Sequence, residues 1–154
     1  MTKTPSGART DSKRTAYQSP LTGRYGSAEM SFVFSEQFKF STWRKLWVAL
    51  AEGERALGLP VTRKQLAQLQ RFVDDINFEV AEAKEKEIRH DVMAHVHAYG
   101  VQAPGAKGII HLGATSAYVT DNTDLIQIRA ALELAAKKIV NIVASLARFA
   151  EQHR

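Results

Sequence analysis

Cysteine is absent from the 154 residues, so neither a disulfide framework nor a thiolate metal site is available. Proline numbers four and glycine nine, too few for a fibrous or low-complexity chain. No apolar run approaches the roughly 18 residues of a membrane span, and the N-terminus lacks the apolar segment of a signal peptide. No stretch of useful length alternates apolar and polar residues, so little β-structure is expected. What remains is 45% hydrophobic and 24% charged, enough to bury a core at a length suited to one domain. The expectation is an all-α, cytoplasmic protein with no membrane partner.

The formal net charge is +5, but little of it belongs to the body of the chain. Lys3, Arg9, Lys13 and Arg14 stand against Asp11 alone, so +3 falls within the first 16 residues. That stretch is rich in Ser, Thr and Gly and nearly free of large apolar side chains, and residues 1–18 read as a disordered basic tail. The rest shows no basic stripe with interleaved aromatics, so no nucleic-acid partner is expected.

Helical spacing organises the remainder of the chain. Leu21 to Met30 reads as an ordered loop around Gly23 and Gly26. Phe38, Trp43, Leu46, Trp47 and Leu50 then share one helix face, with Ser35 as N-cap and Gly58 and Pro60 as terminators. Thr62 and Gln65 form a capping box for a second helix with Leu66, Leu69 and Val73 on its buried side. Phe78, Val80 and Ala83 mark a third, leading into the mixed-charge run 82–87, a solvated face. Asp91 is placed to cap a fourth helix from Val92 to about Tyr99, ended by Gly100, and Pro104, Gly105 and Gly108 mark a loop.

The final segment is the most regular. Leu125, Ile128, Leu132, Ala135, Ile139, Ile142, Leu146 and Phe149 are spaced alternately by three and four, an unbroken a/d stripe. With Thr120, Asp121 and Asn122 as caps, a helix over 122–154 spans about 50 Å. The earlier helices are too short to cover such a stripe. Two expectations arise: association with other chains through this helix, and a natural protein that continues beyond Arg154. The organisation expected is thus a tail over 1–18, a helical domain over 19–121, and a long helix from 122.

Four clusters stand outside the core pattern. Arg24-Tyr25 in a Gly-flanked loop reads either as a grip for a phosphate or carboxylate, or as a surface Arg beside a packing Tyr. Arg89-His90-Asp91, with His95 and His97 beyond, has some look of a metal site. The spacing puts the histidines on different sides, and an anion-attracting helix start fits better, so no metal is assigned. Gly113-Ala114-Thr115-Ser116 offers two hydroxyls and backbone N–H groups as a cradle for an anion. His111 reads equally as a core histidine or a ligand contact. Asp121 to Asp124 lacks the ligand alternation of a calcium loop and is assigned to helix capping.

In order along the chain, these clusters resemble one known family. Ser19-Pro20-Leu21 with Arg24-Tyr25, Lys39-Phe40 with Trp43-Arg44, Arg89 to His97, Ile109 to Ser116, and Asp121 to Ile126 together resemble the N-terminal portion of the adenylosuccinate lyases, over about residues 19–154. The resemblance implies the all-α fumarase/aspartase fold, with the start of a long bundle helix, a homotetramer and no cofactor. It implies β-elimination of fumarate from adenylosuccinate, leaving AMP, and from the succinyl-carboxamide ribotide of purine biosynthesis. It places Arg24 and Tyr25 near the substrate phosphate and makes Arg89, His90 and Asp91 a second substrate-binding cluster. Thr115 and Ser116 would hold a carboxylate, with His111 in support. The general-acid histidine and the serine base of such enzymes are expected beyond Arg154, so this chain alone would be inactive. The alternative expectation is a non-catalytic helical module that associates through the Leu125–Phe149 stripe.

Overall fold

Seven α-helices and one 3-10 turn carry residues 19–153, the part of the chain that the computed structural model describes; no strand occurs among the described residues. In chain order the helices are α1 (Pro20–Tyr25), α2 (Ala28–Val33), α3 (Glu36–Ala56), α4 (Arg63–Arg71), α5 (Phe78–Ile88) and α6 (Asp91–Gln102). The turn Pro104–Ile109 comes next, then α7 (Ser116–Gln152). The all-α class expected from the sequence is what is found. The basic tail assigned to residues 1–18 lies outside the described residues.

The core forms around α3. Trp43, Trp47 and Ala51 recur every fourth residue and are fully or almost fully buried, joined by Leu66 and Leu69 of α4, Val92 and Tyr99 of α6, and Val119 of α7. Each buried tryptophan removes on the order of 200 Å² from water, about 5 kcal/mol of transfer free energy as an upper bound. The rings meet edge-on, Trp43 to Trp47 at 6.2 Å between centroids and Phe40 to Trp43 at 5.0 Å. The helix starts carry the expected chemistry. Ser35 Oγ accepts from the Phe38 amide at 3.2 Å, and Thr62 and Gln65 close a complete capping box.

Arg44 ties a loop to this core. It is 1% exposed, donates to the carbonyls of Phe72 and Asp75, and reaches Gln102 Oε1 at 2.7 Å, with its guanidinium 4.3 Å from the Tyr99 ring centroid. Burial lowers its pKa to about 10 and raises that of the Tyr99 phenol. The α4–α5 connection is thus pinned by a buried cation.

Several sequence expectations are corrected. The stretch from Leu21 to Met30 is two short helices rather than a loop. Pro20 pre-sets the first turn of α1, and Ser27 Oγ caps α2 by accepting from the Met30 amide at 3.2 Å. The α6 cap is His90 rather than Asp91, and Gly100 lies inside the helix, where a Cβ would come within 2.8 Å of the Lys107 side chain. A 3-10 turn, not an open loop, follows Pro104. The last helix begins at Ser116, six residues before the expected Asn122. Thr120 and Asn122 do not cap; they bond back to the carbonyls of Ser116 and Tyr118 one turn earlier. Asp121 to Asp124 therefore lies within the helix.

At 37 residues, α7 is about 55 Å long. Among the described residues its first half packs against α2 and α3, and farther along Lys138 pairs with Glu29 at 3.3 Å on the surface. Val119, Thr123 and Gln127 form the buried face, and Gln127 Nε2 donates to the Val33 carbonyl at 2.8 Å. The a/d stripe lies on another face: Leu125 and Leu132 keep 65% of their surface exposed and Phe149 60%. From Ala136 to His153 every residue is exposed.

Candidate functional site

Two helix N-termini meet where the sequence places its polar clusters. At one, Arg89 turns the chain out of α5 in the left-handed region, at φ 56°, and His90 becomes the N-cap of α6. Its Nδ1 accepts from the Met93 amide at 3.4 Å. At the other, Thr115 is the N-cap of α7 and Ser116 its first residue. The ends come together through His90 Nε2 and Ser116 Oγ, 3.5 Å apart, at the long limit of a hydrogen bond. The positive ends of two helix dipoles converge there, an arrangement that favours an anion, although the Val92 and Met93 amides of α6 are already taken by Asp91 Oδ1 and His90 Nδ1.

The remaining polar groups of this corner are only partly committed. Thr115 caps α7 without using its side chain, whose hydroxyl makes no hydrogen bond among the described residues. Asp91 accepts from the Val92 amide at 2.7 Å, with the same Oδ1 3.8 Å from His90 Nδ1. His111 lies half-buried with φ 64°, and Trp47 Nε1–H donates to its Nδ1 at 3.0 Å. Burial first, and the neighbouring His90 second, hold its pKa below the usual value. Beneath the loop sits Glu54, 9% exposed, with Oε2 unpartnered among the described residues; burial raises its pKa. Gly113, at φ 66°, needs no Cβ, and one placed there would lie 4.0 Å from Glu54 Oε1.

The other candidates fall away from this corner. Arg24 and Tyr25 are exposed on α1, with the guanidinium 5.6 Å from the ring. No hydrogen bond or ion pair among the described residues links them to His90 or Ser116. Arg89 lines an open cleft of about 490 Å³ with Glu36, Glu82, Glu85 and Lys86. The other two histidines of the cluster also separate. His95 is buried and stacked on Phe40 at 3.7 Å, and its pKa is pulled down to about 4, mainly by burial and then by Arg44. His97 is half-buried, and the carboxylate near it, Glu87, is held below its usual pKa chiefly by the hydrogen bond and charge of Lys84 at 2.7 Å.

Sequence reasoning missed Trp47 and Glu54 as neighbours of the site. Trp47 is read correctly as core, and nothing in local spacing shows that its one polar atom meets a residue 64 positions later.

No protein-family model matches the chain. It is 48% identical over 142 residues to the adenylosuccinate lyase of Schizosaccharomyces pombe, covering 90% of this chain and 30% of that protein. It is 50% identical over 141 residues to that of Saccharomyces cerevisiae, covering 90% and 29%. With the enzyme of Schistosoma mansoni it shares 43% over 138 residues, covering 90% and 29%. The chain thus spans about 30% of the length of these relatives. Its all-helical architecture and its match to their N-terminal portion agree, and over 90% of its length the chain is similar to adenylosuccinate lyases.

Proposed function

We propose that this chain supplies part of the substrate-binding surface of an adenylosuccinate lyase. The observation that carries the reading is the 43–50% identity to relatives bearing that name across 90% of the chain. The meeting of two helix N-termini at His90 and Ser116 supports it, since the substrate is a polyanion.

The reaction is β-elimination of fumarate from adenylosuccinate to leave AMP, and from the succinyl-carboxamide ribotide of purine biosynthesis. A base removes the proton beside a carboxylate, giving an aci-carboxylate, and an acid protonates the departing nitrogen. In this reading Thr115 and Ser116 bind the carboxylate on which charge accumulates, and His111 supports them. Arg89, His90 and Asp91 form a second contact with the nucleotide, and Arg24 and Tyr25 meet its phosphate. No cofactor takes part. The enzyme works in the cytoplasm as a homotetramer, whose subunits associate through the exposed stripe of α7.

The 154-residue chain by itself binds nucleotide without turning it over. Titration with AMP detects binding by the native chain and a loss of about tenfold in Arg89→Ala, the cost of one charged contact. Equal binding by both proteins, or none by either, removes the reading in favour of a helical association module. AMP formation from adenylosuccinate at a rate near that of a full-length lyase refutes the assignment of binding without catalysis.

A further inference from the structure

The contact between Trp47 and His111 decides the chemical character of the 110–115 loop. An indole nitrogen only donates, so His111 Nδ1 must present its lone pair to it at 3.0 Å. A neutral imidazole that accepts at Nδ1 carries its proton on Nε2. The donor is fixed in place: Trp47 is 1% exposed and wedged between Trp43 and Tyr99, with centroids at 6.2 and 6.1 Å. The indole and imidazole planes stand 81° apart, an edge-on approach. The acceptor sits on a turn whose backbone is left-handed at His111, φ 64°, a conformation uncommon for residues with a side chain. Nε2, on the ring edge away from the tryptophan, has no hydrogen-bond partner among the described residues. The titratable groups about this loop are His90, which acts on the His111 ring, and Glu54 beneath Gly113.

We propose that Trp47 is a positioning residue that holds His111 as the Nε2–H tautomer, so that the loop offers an N–H donor to an anionic oxygen of the ligand instead of a basic nitrogen. The ligand half of this inference rests on the proposed nucleotide binding; the tautomer half does not. It assigns to a core tryptophan a role in the polarity of the site, and it makes His111 a binding group and not a proton acceptor.

Nuclear magnetic resonance of the full chain, labelled with nitrogen-15, tests both halves. At neutral pH the His111 shifts are those of the Nε2–H tautomer, and a scalar coupling across the hydrogen bond links Trp47 Nε1 to His111 Nδ1. In Trp47→Phe the coupling is gone and the two ring nitrogens move toward the averaged shifts of an unconstrained imidazole. A native chain showing the Nδ1–H tautomer or no coupling overturns the proposal, as does a folded Trp47→Phe protein with unchanged His111 shifts. If that variant fails to fold, the coupling in the native chain decides alone. Added AMP moves His111 Nε2 while the coupling persists. AMP that shifts the Ser116 amide but leaves Nε2 unmoved overturns the ligand half. No response to AMP anywhere defeats the nucleotide reading and the ligand half with it, while the coupling still decides the tautomer.

Discussion

A histidine in a core is a proton-sensitive weak point, and His95 is this protein's. It is 5% exposed, stacked on Phe40, and faced by Arg44 and Lys39 with only Asp91 to favour its charge. Its pKa falls from 6.5 to about 4 on folding. Between those values the unfolded chain binds the proton and the folded chain does not. Stability is therefore complete above about pH 6.5 and is lost as pH drops toward 4, by up to about 1.4 kcal/mol per unit. Urea unfolding at pH 7 and pH 5 is expected to show a lower midpoint at pH 5, with the difference reduced in His95→Phe. The same slope in both proteins would assign the acid sensitivity to other groups.

At the scale of elements, the capping box of α4 gives a direct test of local control. Gln65 serves twice, accepting from the Thr62 amide at 2.9 Å and donating to the Gly105 carbonyl at 3.1 Å. Thr62→Ala removes the acceptor for the Gln65 amide and is expected to cost about 1 kcal/mol, a fall of about 4 °C in Tm by thermal denaturation. An unchanged Tm would show that the Gly105 tie alone holds the start of α4. Elements of this kind were the legible part of the fold. The i, i+4 tryptophans, the Ser35 cap and the Thr62–Gln65 box are local patterns with one physical meaning. Where a side chain has two local options, spacing does not choose between them. Thr120, Asp121 and Asn122 are good caps, but the helix already running from Ser116 lets Thr120 and Asn122 bond backwards instead. The site was legible only as separate clusters. His90 and Ser116 were each singled out, but their meeting depends on how α6 and α7 pack, as does the bond between Trp47 and His111.

The whole molecule has two faces joined by one helix. Val119, Thr123 and Gln127 turn α7 toward its own chain, and the stripe from Leu125 to Phe149 turns elsewhere. Large apolar side chains exposed over this length mark an interaction surface. Replacing Leu132 and Leu146 together by Glu is expected to convert an associated species to monomer in light scattering, with the near-ultraviolet signal of Trp43 and Trp47 preserved. An unchanged mass would show that association does not run through the stripe.

The far half of α7 also has a thermodynamic consequence. From Ala136 onward no described residue is buried, and the ion pair from Lys138 to Glu29, at 3.3 Å on the surface, adds little. An isolated helix of such length is marginal in water. In the proposed assembly its order is a matter of mass action, with each bound copy supplying the burial that the chain does not provide for itself. Dilution therefore frays this half of the rod while the tryptophan core stays intact, and the reach of the helix becomes a readout of how much protein surrounds it.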